Sequence, residues 1–214
     1  MQARFITVEG IEGVGKSTQM AFIQTWLETR GVRVETTREP GGTPLAEQIR
    51  DVLLAPRSEN MPENAELLMM FAARAVHIQN RILPALAQSR WVLCDRFTDA
   101  TYAYQGAGRG MDMAGIQLLE QQVQGDLRPH LTLLLDAPVE LGLARAGKRG
   151  PADRFEQETV QFFERVRQGY LRLAKAEPAR IKVVRAEGSI SQVQDEITRV
   201  LEQAWETWHQ GEAL

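Results

Sequence analysis

The amino-acid sequence predicts a three-layer α/β fold, in which a five-stranded parallel sheet is covered by helices on both faces. Two observations support this prediction. Short apolar segments alternate along the chain with longer amphipathic segments, as in repeated strand–helix units. The short segments are apolar on both sides of the backbone, which is typical of parallel strands covered on both faces. Ligands of such folds bind beyond the carboxyl ends of the strands.

Five segments have the composition of buried strands. The clearest have the sequences RFITVE, WVLC and LTLLL, which are short and mostly apolar. The second strand segment is rich in β-branched residues. The predicted strands cover residues 4–9, 32–37, 91–94, 131–135 and 181–184.

Helices are predicted between these strands from apolar residues at helical spacing and from residues that begin or end helices. Gly31 ends the first helix, Pro44 occupies the first turn of the second, and Pro84 bends the third. The predicted helices cover residues 16–30, 44–54, 64–88, 112–124, 139–146, 156–176 and 190–208.

The composition argues against several classes of protein. The chain has 214 residues, 25 basic and 28 acidic, and its net charge of −3 argues against a nucleic-acid coat protein. One cysteine, Cys94, excludes internal disulfides, and His77, His130 and His209 lack metal-ligand spacing. No repeat or linker divides residues 1–214, so we expect one domain. Without a signal sequence or about 20 consecutive apolar residues, we expect a cytoplasmic protein that binds neither nucleic acid nor membrane.

The strongest motif is a phosphate-binding loop, GIEGVGKS at residues 10–17, between the first strand and the first helix. Its glycines let successive backbone N–H groups surround a phosphate, and the helix N-terminus adds partial positive charge. We expect Lys16 to contact the β and γ phosphates of a nucleoside triphosphate and the Ser17 hydroxyl to bind Mg²⁺. The residues expected to hold the ATP phosphates are Gly10, Gly13, Val14, Gly15, Lys16, Ser17 and Thr18.

The loop alone is compatible with a kinase, a GTPase or another ATPase. A GTPase requires an Asn-Lys-x-Asp element, and none of the four lysines follows an asparagine. Motor and assembly ATPases usually have longer chains. A small phosphotransferase therefore fits the sequence best.

Six stretches are more specific together than any one of them alone. They are FITVEGIEGVGKST, REPGGT at 38–43, FAARAVH at 71–77, DRFTDATYAYQGAGRG at 95–110, LLLDAP at 133–138 and DRFEQE at 153–158. In this combination the sequence resembles the bacterial thymidylate kinases of the nucleoside monophosphate kinase superfamily. The resemblance implies a P-loop kinase fold, a homodimer, and transfer of the γ-phosphoryl group of ATP to dTMP with Mg²⁺, giving dTDP and ADP.

The resemblance also implies which residues bind dTMP: Glu12, Arg38, Phe71, Arg74, Arg96, Thr101, Tyr104 and Gln105. Phe71 and Arg74 share a helix face, from which the ring can stack on a base and the guanidinium can donate to a base carbonyl. Arg96 is implied at the acceptor phosphate. Tyr104 is implied beside the sugar C2′, where it would disfavour ribonucleotides.

Several other polar residues have expected roles. Asp95 is expected to bind Mg²⁺ together with Ser17, or to orient Arg96. Asp136 follows the fourth strand and is interpreted as mainly structural. We interpret the three histidines as surface or structural residues and Cys94 as a buried strand residue.

A basic stretch, RAGKRGPADR at 145–154, is predicted to form a short lid. The phosphate loop supplies one cation, Lys16, and no arginine, so the charge on the transferring phosphoryl group must be met from elsewhere. The arrangement resembles the subclass of the family that carries its arginine in the lid. The residues expected to act in catalysis are Lys16, Arg149, Arg145 and Arg96, with Arg149 preferred to Arg145 in the lid.

Two alternatives remain open at this stage. Another nucleoside monophosphate kinase or a deoxynucleoside kinase would share the loop but use a different acceptor. A non-catalytic, ATP-dependent interaction protein would bind ATP without transferring its phosphoryl group. Turnover with dTMP, dUMP, dCMP and thymidine distinguishes these possibilities.

Overall fold

The sheet is parallel and five-stranded in the computed structural model, which describes residues 2–147 and 153–210. Its strands are β1 Phe5–Glu9, β2 Val34–Arg38, β3 Trp91–Asp95, β4 Leu131–Asp136 and β5 Ile181–Arg185. They lie in the order β2-β3-β1-β4-β5. The predicted α/β fold is confirmed, and each predicted strand ends within two residues of the observed one.

Helices connect the strands and cover the sheet. They are α1 Lys16–Glu28, α2 Pro44–Leu54, α3 Glu63–His77, α4 Leu83–Ala87, α5 Thr98–Thr101, α6 Met113–Gln124, α7 Val139–Ala146, α8 Val160–Ala176 and α9 Ile190–Gln210. Pro44 opens α2, as predicted, and the Thr43 side chain accepts a hydrogen bond from the Ala46 N–H.

The long predicted helix 64–88 is interrupted by a π-helical segment, Ile78–Ile82, between α3 and α4. The interruption lies just before Pro84, whose ring removes a backbone donor and crowds the preceding turn. A wider π turn accommodates this loss without ending the helix. The sequence therefore predicted the position of the irregularity but not its form.

Two other helical segments differ from the prediction. α8 begins at Val160 rather than residue 156, because the Asp153 carboxylate accepts the backbone N–H groups of Phe155 and Glu156 in a turn. Residues Thr98–Thr101 and the π-helical segment Tyr102–Gly108 form a helix that was not predicted.

The core lies on both faces of the central strands. β1 is buried along its whole length because β3 and β4 flank it. Successive side chains point to opposite faces, so Phe5 packs with Ile78 and Phe97 while Ile6 packs in the larger cluster with Leu133. This burial fixes the register in which the strand ends meet. Among the described helices, none has the length and apolarity needed to span a bilayer.

Candidate active site

The candidate site lies beyond the carboxyl ends of β1, β2 and β3. Val8 of β1 and Arg38 of β2 both pair with Asp95 of β3. The phosphate loop, the segment after β2 and the Asp95-Arg96 turn therefore meet at one edge of the sheet. Motifs that are distant in the sequence thus contribute to a single site.

The phosphate loop has the backbone shape that its glycines permit. Gly10 and Gly13 have φ angles of 133° and 73°. A Cβ on Gly13 would lie 1.8 Å from the carbonyl oxygen of Gly142, and a Cβ on Gly10 would lie 2.4 Å from that of Leu135. Only glycine fits these two positions without moving the neighbouring backbone.

Lys16 begins α1 and curls back over the loop. Its Nζ donates to the carbonyl oxygens of Gly10 at 3.2 Å and Ile11 at 2.9 Å. Burial lowers the pKa of Lys16 to about 8, and the nearby Arg96 guanidinium adds to this shift. An anionic phosphate near Nζ would therefore be bound by a charge that water screens poorly.

Two oxygen groups beside the loop suit a hard cation. The side chain of Ser17 is exposed in the first turn of α1. Asp95 has a buried Oδ1 with no hydrogen-bond partner in the part of the chain that the structure describes. Hydroxyl and carboxylate oxygens are ligands that Mg²⁺ prefers. The described residues contain no group of three His, Cys, Asp or Glu able to hold a metal, so an ion here would need phosphates or water as further ligands.

A partly open cavity lies at this edge of the sheet. It is lined by Glu12, Glu39, Pro40, Arg50, Leu54, Met70, Arg74, Arg96, Phe97, Ala100, Thr101, Tyr104, Gln105, Asp153 and Phe155. Six of the eight residues expected to bind dTMP are among them. Arg38 and Phe71 are not.

Arg96 lies at the centre of a buried polar cluster. Its NH1 donates to the Tyr170 hydroxyl at 3.0 Å and its NH2 to Glu12 Oε1 at 2.9 Å, while the Tyr104 hydroxyl donates to Glu12 Oε2 at 2.6 Å. Burial opposes the charge, but the surrounding phenol and carboxylate groups raise the pKa of Arg96 well above its usual value. Its φ of 69° is a strained backbone conformation, of the kind that clusters at functional sites.

Glu9 lies beneath this cluster and was not predicted to have a role. It is fully buried and accepts hydrogen bonds from the Phe97 N–H and the Tyr170 hydroxyl, both at 2.7 Å. Burial raises the pKa of Glu9 to about 8, and the Asp99 carboxylate adds to this shift. Glu9 therefore links β1 to Tyr170 of α8 and, through it, to Arg96.

Replacing Glu9 by glutamine is expected to make folding stability less dependent on pH. The folded-state pKa of about 8 exceeds the ordinary value of 4.5, so the stability that protonated Glu9 provides below pH 4.5 is lost as pH rises through 8. The loss is at most about 5 kcal/mol. The melting temperature of Glu9→Gln, measured at pH 5, 7 and 9, should increase relative to that of the wild type as the pH rises. The exposed Glu59→Gln serves as the control, and equal pH profiles for Glu9→Gln and wild type would contradict the assignment.

Arg74 is held rigidly at the cavity wall. Its Nε donates to Glu39 Oε2 at 2.7 Å and its NH2 to Thr101 Oγ1 at 2.9 Å. The side chain is only 3% exposed, and its NH1 is buried with no partner among the described residues. Because Arg74 lines the cavity, this unpaired donor is a candidate partner for a ligand acceptor.

Met70, rather than Phe71, lines the cavity beside Arg74. Phe71 is buried in a cluster with Leu67 and Ile116, where it contacts the Arg74 guanidinium from the side of the core. Phe71 and Arg74 do share a helix face, as expected. Adjacent helical positions point about 100° apart, so the cavity-facing position belongs to the residue before Phe71.

Arg50, rather than Arg38, is among the residues that line the cavity. Arg38 is 54% exposed and is held by the Glu47 carboxylate. Arg50 lines the cavity, and its NH1 donates to the Pro40 carbonyl at 2.8 Å. Burial lowers the pKa of Arg50, as do the positive charges of Arg38 and Arg96. Cations that repel one another around a cavity would be stabilised by an anion between them.

Comparison with known proteins identifies the family. Residues 8–197 match the family model described as thymidylate kinase. The thymidylate kinase of Teredinibacter turnerae is 58% identical over 94% of this chain and 98% of its own length, and that of Alcanivorax borkumensis is 54% identical over 96% of this chain and all of its own. This chain belongs to the thymidylate kinase family.

The crystal structure of thymidylate kinase from Ehrlichia chaffeensis has the same fold. The two structures superpose with a TM-score of 0.78, and their sequences are 34% identical. The match covers 94% of this chain and all of the Ehrlichia chain. The expected family and fold are therefore confirmed, and with them the expectation of a nucleotide-binding kinase.

The basic stretch predicted as the lid of this thymidylate kinase is only partly described. Lys148 and Arg149 lie outside the described residues. Arg145 donates to the carbonyl oxygens of Ala186 and Glu187 just after β5, and Arg154 donates to the Leu53 carbonyl and pairs with Glu66. Arg154 is therefore held by protein groups. A catalytic role for Arg145 or Arg149 stays a prediction.

The remaining predicted residues have structural contacts. Gln105 lines the cavity and donates to Glu66 at 2.8 Å, and Asp136 forms two hydrogen bonds with Arg167. His130 accepts the Phe5 N–H, Cys94 is buried, and His77 is inaccessible to solvent. The cavity residues that sequence analysis missed include Met70, Arg50 and Phe155. Phe155 lies within the DRFEQE stretch, whereas Met70 and Arg50 lie outside the six stretches.

Proposed function

We propose that the cavity is the acceptor site of this thymidylate kinase and that the adjoining phosphate loop is its donor site. The reaction is the phosphorylation of dTMP to dTDP. The observation that supports the two-site proposal is the position of Arg96. It lies in the cavity wall, and it is close enough to Lys16 to lower that residue's pKa. The acceptor phosphate in the cavity and the donor phosphates on the loop would thus lie between these two cations.

On the donor side, the backbone N–H groups of residues 10–18 and the Lys16 ammonium hold the ATP phosphates. The loop is preorganised, because its glycines fix the backbone in the required shape. Ser17 and Asp95 would hold Mg²⁺, since their oxygens suit this ion and Asp95 Oδ1 has no protein donor among the described residues. The ion would neutralise phosphate charge during transfer.

On the acceptor side, Arg96 and Arg50 bind the 5′-phosphate of dTMP. Each guanidinium has N–H groups beyond those used by the protein contacts described above. The acceptor oxygen is already ionised, so the site needs no strong general base. Charge neutralisation and alignment of the two phosphates therefore account for the rate.

The base lies against Met70, and Arg74 NH1 donates to a carbonyl oxygen on its edge. Thr101 and Gln105 complete this wall of the cavity. Glu12 lies near the 3′-hydroxyl, where it is fixed by Arg96 and Tyr104. This assignment replaces Phe71 with Met70, and Arg38 with Arg50, among the substrate contacts.

The function is tested by measuring ADP release from MgATP with each acceptor in turn. We expect dTMP to be turned over with the highest kcat/KM, ahead of dUMP, dCMP and thymidine. Preferred turnover of another acceptor would reassign the enzyme within the kinases. ATP binding without transfer to any acceptor would instead favour the non-catalytic alternative.

Replacing Tyr104 by alanine is expected to weaken discrimination against ribonucleotides by about tenfold. The ring is wedged edge-on between Phe155 and Tyr170, beside Glu12. It is thus rigid bulk, which excludes a 2′-hydroxyl more effectively than a mobile side chain would. The measurement is the ratio of kcat/KM for thymidine 5′-monophosphate with deoxyribose and with ribose.

Tyr104→Phe is the matched control, because it keeps the ring and removes only the hydroxyl. It should retain discrimination. The alanine variant leaves a cavity that costs about 3–5 kcal/mol of stability, so assays should be run at low temperature. An unchanged ratio in a folded Tyr104→Ala protein would show that another group excludes ribose.

The enzyme is also proposed to be a homodimer. Helices α3 and α6 pack together, and each exposes a large apolar side chain, Leu68 at 56% and Leu118 at 66%. A twofold dimer buries one such surface against its copy. Sedimentation equilibrium should show a dimer for the wild type and dissociation for Leu118→Glu. A monomeric wild type would contradict this proposal.

A further inference from the structure

A chain of buried polar side chains continues behind Arg74, away from the cavity. Glu39 Oε1 lies 2.8 Å from His77 Nδ1, and His77 Nε2 lies 2.7 Å from Thr37 Oγ1. Together with the Glu39–Arg74 and Arg74–Thr101 hydrogen bonds, this chain connects β2, α3 and α5. None of the reaction steps derived above uses His77.

Three side chains of this hydrogen-bonded chain are buried. His77 is 0% exposed, Arg74 3% and Glu39 5%. Such groups are costly to bury unless their hydrogen bonds are made. Burial opposes the charge on Glu39, but Arg74 and His77 hold the pKa of this carboxyl below its usual value. A carboxylate only accepts hydrogen bonds, so His77 Nδ1 is the donor.

The two oxygens of Glu39 thus have separate partners, His77 on one side and Arg74 on the other. If the donor at Oε1 is lost, the carboxylate is free to rotate, and its hold on Arg74 Nε weakens. The His77 ring itself is confined, since a Cβ on Gly42 would lie 2.5 Å from Nε2. The planar guanidinium of Arg74 is then fixed at two nitrogens, which fixes the direction of the third.

We infer that His77 is a positioning residue for base selection, which acts by holding Glu39 so that Arg74 NH1 points at the base edge. This inference rests on the proposed role of Arg74 as the donor to a base carbonyl. Its supporting observation is the unpartnered, buried NH1 at the end of a fully hydrogen-bonded chain. Base selection therefore depends on a residue that touches no substrate.

The chemistry of the bases determines which discrimination should change. Thymine and uracil have a carbonyl acceptor at position 4, whereas cytosine has an amino donor there. An arginine can only donate, so a fixed NH1 accepts dTMP and dUMP and leaves a buried donor unpaired against dCMP. The ratio of kcat/KM for dTMP to that for dCMP therefore depends on how Arg74 NH1 is positioned. The corresponding ratio for dTMP to dUMP does not depend on it.

Two substitutions at His77 separate its two hydrogen bonds. The amide nitrogen of asparagine reaches the position of Nδ1, so His77→Asn keeps the donor to Glu39. That of glutamine reaches the position of Nε2, so His77→Gln loses this donor. We expect His77→Gln to lower the dTMP/dCMP ratio about tenfold through a higher KM for dTMP, with the KM for ATP and the dTMP/dUMP ratio unchanged. His77→Asn should stay within about threefold of the wild type.

Arg74→Ala distinguishes a failure of the inference about His77 from a failure of the proposed role of Arg74. If Arg74→Ala lowers the dTMP/dCMP ratio and His77→Gln does not, His77 is only a core residue and the inference is overturned. It is also overturned if His77→Asn is as damaging as His77→Gln. If Arg74→Ala leaves the ratio unchanged, the proposed role of Arg74 fails first. If His77→Gln does not fold, Glu39→Asp replaces it, because this change moves the carboxylate away from Arg74 by one methylene. An unchanged dTMP/dCMP ratio in Glu39→Asp would also overturn the inference.

Discussion

Replacing Lys16 by alanine should lower kcat by on the order of 10²–10³-fold. The Nζ group lies over the phosphate loop, where it donates to the Gly10 and Ile11 carbonyl oxygens, and burial lowers its pKa to about 8. There its charge acts on the transferring phosphoryl group with little screening by water. Single-turnover measurements with saturating ATP and dTMP would separate this loss from weaker ATP binding.

The variant should fold at least as well as the wild type. Burial disfavours the charged lysine, so at pH 7 the folded state bears a cost that alanine removes. The exposed Lys175→Ala, which makes the same change on α8, is the control and should keep full activity. A folded Lys16→Ala enzyme with near-normal kcat would refute the assignment of the donor site.

Much of the fold and the backbone shape of the phosphate loop could be predicted because their signals are local. The glycines of the phosphate loop determine the backbone that they adopt, and strand and helix periods are visible within ten residues. The five strands and the loop were therefore found within two residues of their observed positions.

The acceptor side was less predictable because its contacts are not local. Tyr170 meets Glu9 across 161 positions in the sequence, and neither residue belongs to a pattern that indicates this contact. The choice between Phe71 and Met70 depends on the rotation of α3, which its packing on α6 sets. Periodicity identified the helix that borders the cavity, but it could not tell which of these two neighbouring residues lines it.

The arginines show the same limit. Sequence analysis identified candidate arginines but could not tell which guanidiniums the protein itself holds. Arg38 is held by Glu47 and Arg154 by Glu66, whereas Arg50 and Arg96 line the cavity. Pairing alone does not separate the two groups, since Arg96 also pairs with Glu12. Whether a guanidinium reaches the cavity is a tertiary property, and it required the structure.

Replacing Arg96 by alanine should lower kcat/KM for dTMP by on the order of 10²–10³-fold, with losses in both kcat and KM. Arg96 is proposed to bind the acceptor phosphate, so its loss weakens binding. It also fixes Glu12 through NH2 and contacts Tyr170 through NH1, so its loss leaves a carboxylate without its cation. Alanine keeps a side chain at the strained φ of 69°, and the backbone strain is therefore similar in both proteins.

Arg96→Lys and Arg38→Ala complete this test. Lysine keeps the charge but lacks the planar fork that serves Glu12, Tyr170 and a phosphate together, so it should recover little activity. Arg38→Ala removes an exposed arginine that pairs with Glu47 outside the cavity, and it should change kcat/KM for dTMP by less than about threefold. If Arg38→Ala proves more damaging than Arg96→Ala, the acceptor phosphate binds at the end of β2, and the turn after β3 is structural.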